Sequence, residues 1–219
     1  DADADTDADS DTDSDSDTDT GTDTGPRDTD GDGWTDAEEA ASYTDGDDAS
    51  DHPYTGGWEI DSCRSSITST GAAVGDTAPD FALSDQYGDP VRLHDFCDKL
   101  VLLDFGTQWC GTCQAKAPTV ATWQATYGPY GFLAVTAQSE NTSYATPTTA
   151  DLLAWDKAYS SGHPVVADPS GSVDATYDPH SSSRPTYVLI GPGMEILSIG
   201  GSSSVKGADI EAALPTPYP

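Results

Sequence analysis

Basic residues are scarce in this chain. Only 8 Lys and Arg stand against 39 Asp and Glu in 219 residues, a formal net charge of −31. A surface of that sign repels phosphate backbones, which argues against nucleic acid as a partner, and it attracts divalent cations instead. Long apolar runs are lacking too: no stretch approaches the roughly 18 to 20 consecutive apolar residues that a membrane-spanning helix needs, so the chain as given is expected to be soluble. There is no initiator Met, and the numbering starts inside an Asp-rich run. We therefore expect a mature or trimmed chain whose targeting segment has been removed, which leaves export open. His52, His94, His163 and His180 show no mutual spacing that suggests a metal site.

The acidic excess is unevenly placed. Residues 1 to 51 hold 19 Asp and 2 Glu against one Arg, a net of −20, and the remainder nets −11. Residues 1 to 25 alternate Asp with Ala, Thr or Ser, then drift into Gly and Thr. Strict alternation can signal a strand, but no position here is large and apolar, so there is no face to bury. The expectation is a disordered, self-repelling linker that could reach on the order of 80 Å when extended. A solubilising tail and a tether holding a domain off a membrane or envelope both fit it.

A second segment, residues 26 to 60, opens with Asp28-Thr29-Asp30-Gly31-Asp32-Gly33-Trp34-Thr35-Asp36-Ala37-Glu38-Glu39. This spacing fits the EF-hand calcium loop. Asp28, Asp30 and Asp32 supply oxygens at positions 1, 3 and 5, and Gly33 allows the sharp turn at 6. Trp34 offers its carbonyl at 7, Asp36 a direct or water-mediated contact at 9, and Glu39 a bidentate carboxylate at 12. No entering helix precedes the loop, and an exiting helix is expected from Asp36 to Tyr43. The arrangement resembles the calcium loops of dockerin-like and thrombospondin type 3-like repeats, which implies structural Ca2+ and no organic cofactor. Asp45, Asp47 and Asp51 offer a degenerate second loop. A run this acidic also matches such patterns by chance.

From residue 71 to 214 the pattern alternates between strand and helix. Strands are expected at Phe81 to Leu83, Pro90 to Leu93, Leu100 to Phe105, Phe132 to Thr136, Val165-Val166, Thr186 to Ile190 and Glu195 to Ile199. Helices are expected at Cys113 to about Tyr127, Thr148 to Tyr159, Ser172 to Tyr177 and Gly207 to Ala213. Such an order, ending in a hairpin and a helix, indicates a three-layer α/β domain. The residues 140 to 150, rich in Ser, Thr and Pro, read as a surface insertion.

Within that domain Leu102-Leu103-Asp104-Phe105-Gly106-Thr107-Gln108-Trp109 breaks into Cys110-Gly111-Thr112-Cys113. Two cysteines three apart, where a strand feeds the first turn of a helix, can close a small disulfide and reopen it. A static disulfide or half of a zinc site is the competing reading. Zinc needs two more ligands, and no second C-x-x-C or H-x-H pair supplies them.

With Pro118 inside the following helix and Arg184-Pro185-Thr186 before a strand, the site resembles the thioredoxin superfamily. The opening Val74-Gly75-Asp76-Thr77-Ala78-Pro79-Asp80-Phe81 resembles its redoxin branch, which includes extracytoplasmic thiol-disulfide oxidoreductases and alkyl hydroperoxide reductase/thiol-specific antioxidant proteins. The resemblance implies a thioredoxin-like α/β/α sandwich with an N-terminal hairpin. It implies Cys110 as the exposed attacking thiolate, Cys113 as the resolving thiol, and Asp104 as a buried carboxylate that takes the Cys113 proton. Trp109 would shield the site, and Pro185 would be the cis-proline that faces the disulfide and binds extended substrate. Taken singly, Asp104 also reads as an exposed strand-end residue, Trp109 as packing and Pro185 as a trans loop proline.

Departures from the pattern bear on direction and substrate. Thr112 replaces the proline of the thioredoxin motif, and Gly106 stands where an aromatic is frequent, so the direction of electron flow is left open. Leu103 occupies the position where a peroxidase pattern wants proline. Copper chaperones of this fold use C-x-x-x-C, one residue more than here. Cys63 and Cys97 read either as a structural disulfide or as two separate buried thiols. Together, the calcium loop and a stable disulfide favour an extracytoplasmic place: periplasm, outer-surface lipoprotein or secreted. The expected protein is a monomeric oxidoreductase acting on protein or small-molecule thiols and disulfides, with a membrane tether through the removed segment compatible with it. A thiol peroxidase and a calcium-dependent surface module with a fixed disulfide are the alternatives.

Overall fold

A computed structural model describes residues 26–178 and 183–219. The linker expected over residues 1 to 25, and His180, lie outside the described residues. In chain order the elements are α1 (Asp36–Ala41), β1 (Ala82–Ser84), β2 (Pro90–Arg92), β3 (Leu100–Gly106), α2 (Gly111–Tyr127), β4 (Phe132–Gln138) and α3 (Thr149–Tyr159). They continue with β5 (Val165–Ala167), α4 (Ser172–Tyr177), β6 (Thr186–Ile190), β7 (Ile196–Gly201) and α5 (Gly207–Ala213). Among the described residues, no helix is long and apolar enough to cross a membrane.

Five strands form one mixed sheet in the order β5-β4-β3-β6-β7. β3, β4 and β5 run parallel, while β6 is antiparallel to β3 and β7 to β6. β3 and β4 are central because every residue in both is buried, which their continuous apolar runs require. Side chains alternate between the faces. Leu100, Leu102, Val120, Phe132, Tyr187 and Ile210 pack on one face with α2 and α5, and α3 joins α2 and β5 through Leu152, Trp155 and Ala117. On the other face Val101, Leu103, Phe105, Val135 and Val188 meet Val91, Phe96 and Tyr177. This is the thioredoxin-like α/β fold, with the second helical layer reduced to α4 and completed by the β1–β2 hairpin. That hairpin turns because Asp85 Oδ1 accepts the N–H groups of Tyr87, Gly88 and Asp89, with Gly88 at φ +100°.

The segment before the hairpin is stitched onto this domain. Tyr54 and Ile60 join the core beside Phe96. Cys63 and Cys97 form a disulfide with a Cα separation of 6.0 Å, which selects between the two readings of that pair. Arg64 pairs with both Asp51 and Asp95. Asp51, a residue of the degenerate second calcium loop, thus carries an ion pair to Arg64.

Candidate active site

Cys110 is the N-cap of α2, with φ −74° and ψ 111°, and Cys113 lies in the first helical turn. The helix therefore starts at Gly111, ahead of the expected Cys113, because the Cys110 sulfur serves as the cap. The Cys113 backbone N–H donates to Cys110 Sγ at 3.2 Å. That contact places the Cys110 sulfur at the positive end of a 17-residue helix. Both cysteines are free thiols.

Cys110 is more enclosed than expected of an exposed nucleophile, with 8% of its surface accessible against 4% for Cys113. Its sulfur contacts the Arg184 carbonyl oxygen at 3.9 Å, so the loop before β6 covers it. The Arg184–Pro185 peptide is cis, which closes the alternative of a trans loop proline. Pro185 thus stands beside the Cys110 sulfur.

Asp104 lies in β3 on the α2 face and is only 6% exposed, which excludes the exposed strand-end reading. Its neighbours in register are Thr136 on β4 and Tyr187 on β6. Burial pushes its carboxyl up to about 7, and only the Thr136 hydroxyl, at 3.5 Å, opposes this. The Cys113 thiol is raised strongly, first by burial, then by its contact with Cys110, with Asp104 adding to it. A Cβ at Gly106 would sit 3.0 Å from Cys113 Sγ, so the missing aromatic makes room for the second sulfur.

Behind this group stands His163, fully buried, whose Nε2 lies 2.9 Å from Thr136 Oγ1. Burial lowers its pKa to about 4, so it is neutral at physiological pH. The histidines showed no mutual spacing, and only the β4–β5 pairing brings His163 to the Asp104 row.

Trp109 is 43% exposed and held in place from outside. Its Nε1–H donates to Glu140 Oε2 at 2.6 Å, and its ring packs on Tyr144 at 5.4 Å between centroids. Both partners come from the segment expected to be a surface insertion; the one aromatic in that Ser/Thr/Pro-rich stretch was the available signal. A cavity of about 450 Å³ opens beside Trp109, walled by Thr107, Glu140, Asp174, Asp178 and Arg184. Arg184 is paired with Asp174, whose carboxyl burial nonetheless pushes up to about 6.

The metal candidates sit apart from this site. Ligand oxygens of Asp28, Asp30 and Asp32 lie within 4.8 Å of one another. Glu39 is fully buried. Trp34 lines a hollow with Tyr54 and Trp58, and its N–H donates to Asp32 Oδ1 at 2.8 Å. Asp36 points elsewhere: Oδ1 accepts from Thr29 N–H at 2.9 Å, the Thr29 hydroxyl reaches both oxygens, and Arg27 pairs with it at 3.2 Å. Its carboxylate, like that of Glu39, is outside the three-Asp cluster.

The AhpC/TSA family model matches residues 74–199. The thiol-disulfide oxidoreductase ResA of Geobacillus thermodenitrificans is 49% identical over 49 residues, 22% of this chain and 28% of that protein. The thioredoxin-like protein YneN of Bacillus subtilis is 32% identical over 119 residues, 54% of this chain and 66% of that one. The chain thus spans between 28% and 66% of these relatives' length. A crystal structure assigned as thiol:disulfide interchange protein DsbE from Chlorobium tepidum aligns at a TM-score of 0.52 and 31% identity, over 65% of this chain and 93% of that one.

Proposed function

This chain belongs to the AhpC/TSA family, and from that premise we propose that it is a thiol-disulfide oxidoreductase of the ResA/DsbE type. The observation that carries the proposal is the placement of Cys110 as helix cap, with Cys113 one turn inside and Asp104 buried behind it. As a thiolate, Cys110 attacks a substrate disulfide; a Cys110–substrate bond forms and one substrate thiolate leaves. Cys113 gives its proton to ionised Asp104 and attacks Cys110 Sγ, releasing the second substrate thiolate and leaving the 110–113 disulfide. Two electrons pass to the substrate, and the reverse sequence oxidises a substrate dithiol. A buried thiol as strongly raised as Cys113 needs such a base.

Substrates are protein or small-molecule thiols and disulfides, laid along Pro185 and the cavity beside Trp109. The Cys63–Cys97 bridge supports a site of action outside the cytoplasm. Equilibration with glutathione buffers, followed by alkylation, tests the assignment. Cys110→Ser should cut turnover of a protein disulfide by on the order of 10³-fold or more, and Cys113→Ser should accumulate the mixed disulfide. Peroxide turnover lost in Cys113→Ser while disulfide turnover survives would indicate a peroxidase instead. A Cys110 unreactive to alkylation after mild reduction would indicate a fixed disulfide. The measured potential assigns the direction of electron flow.

A further inference from the structure

We propose that residues 28–39 bind one Ca2+, with Asp28, Asp30, Asp32 and Glu39 as carboxylate ligands and Trp34 contributing its carbonyl oxygen. Glu39 carries the inference. It is fully buried, and neither Oε1 nor Oε2 has a hydrogen-bond partner among the described residues. The charges acting on it are all negative, in order Asp30, Asp32, Asp36 and Asp28. A buried carboxylate among like charges is costly unless a proton or a counter-charge neutralises it.

The aspartates divide their oxygens between turn and interior. Asp30 Oδ1 accepts from the Asp32 N–H at 3.2 Å and Asp32 Oδ1 from the Trp34 N–H at 2.8 Å. That leaves Asp30 Oδ2 and Asp32 Oδ2 buried and unpartnered, as are both Glu39 oxygens. Asp28 holds the N–H groups of Gly31 and Gly33, whose φ values of +78° and +103° turn the chain inward. Thr35 and Glu38 form a capping box, which fixes the start of α1 so that the next residue, Glu39, is turned inward. The chain then closes over the carboxylate: a Cβ on Gly46 would stand 3.2 Å from Glu39 Oε2.

Among the described residues no basic side chain forms an ion pair with Glu39. Arg27 is the one basic residue among residues 1 to 51, and it pairs with Asp36. One proton on Glu39 would leave three carboxylates facing one another. Hard oxygens alone, at positions 1, 3, 5, 7 and 12 of a flexible loop, suit the six to eight ligands of Ca2+ better than the strict octahedron of Mg2+.

Calorimetric titration of the chelator-stripped full-length chain with CaCl2 in 0.15 M KCl tests this, with thermal unfolding as second readout. We expect one saturable site, with Kd in the range of about 10⁻⁶ to 10⁻³ M, and an upward shift of the unfolding midpoint. Glu39→Gln should weaken binding at least about tenfold and abolish the shift, and Asp30→Asn should act alike if Glu39→Gln does not fold. MgCl2 at equal concentration should leave the midpoint nearly unmoved. Absence of a saturable site in the wild type, or Ca2+ binding by both variants equal to that of the wild type, overturns the proposal and assigns the uptake to diffuse attraction by the acidic run.

Discussion

The acidic loop and the thiol site each bury a carboxylate, and their surroundings set the two apart. Glu39 is buried with like charges acting on it, and its oxygens are unpartnered among the described residues. Asp104 is enclosed by a sheet and accepts a hydrogen bond from the Thr136 hydroxyl at 3.5 Å. Among carboxylates a proton satisfies only one group, and a divalent cation can satisfy several. In the sheet interior, burial raises the carboxyl of Asp104 to about 7, so near neutral pH it can both lose and take up a proton. Under the two proposals, the same side-chain chemistry serves a metal in one region and proton transfer in the other.

The largest effect that would break this comparison belongs to Asp104. Its folded pKa of about 7 lies above the ordinary 3.8 of the unfolded chain. Below about pH 4 both states hold the proton and the group costs nothing. Between about 4 and 7 only the folded state keeps it, so stability falls as pH rises, by on the order of 4 kcal/mol in full above 7. Asp104→Asn should remove this slope, measured as the difference between wild-type and variant urea unfolding at pH 4 and pH 8. It should also slow resolution of the mixed disulfide by roughly 10²-fold and erase the rise in rate near pH 7. An unchanged pH profile would mean that Asp104 is no base for Cys113.

Much of this was legible along the chain, and what was not depended on pairing between distant segments. The runs at Leu100 and Phe132 are continuous and apolar, so their burial follows from composition. Cys110 and Cys113 are three apart in sequence, and their spacing carries the chemistry. Thr136 and His163 reach Asp104 only through strand register, and Glu140 reaches Trp109 across 31 residues. Arg64 pairs with Asp51 and Asp95, 13 and 31 residues away, although nothing around any of the three marks it as special. Asp36 fits its calcium position by spacing, yet Thr29 and Arg27 take its carboxylate, a competition that a pattern of ligand types does not reveal.

The disulfide tests whether the two regions are mechanically joined. Cys63 and Cys97 close a span of 34 residues, which corresponds to about 3 to 4 kcal/mol in the chain-entropy account. Replacing both by Ser should lower stability by that amount in urea unfolding while leaving the 110–113 potential within a few mV, since neither residue touches the thiol site. A large shift in potential would show that the bridge shapes the active site as well as anchoring the acidic segment.

The smallest effect sharpens the thiol side alone. Gly106 has no Cβ, and one added there would stand 3.0 Å from Cys113 Sγ, so either the sulfur or β3 must yield. β3 is paired with β4 through Gly106 and with β6 as far as Phe105, which makes the sulfur the part expected to move. Gly106→Ala should therefore cost about 1 to 2 kcal/mol by overpacking. Its clearer signature is kinetic: resolution by Cys113 slows while the first attack by Cys110 keeps its rate, because Cys110 is held by its own cap and by the Arg184 carbonyl. Stopped-flow traces that separate formation from decay of the mixed disulfide resolve the two steps, and equal slowing of both would place the strain on β3 instead.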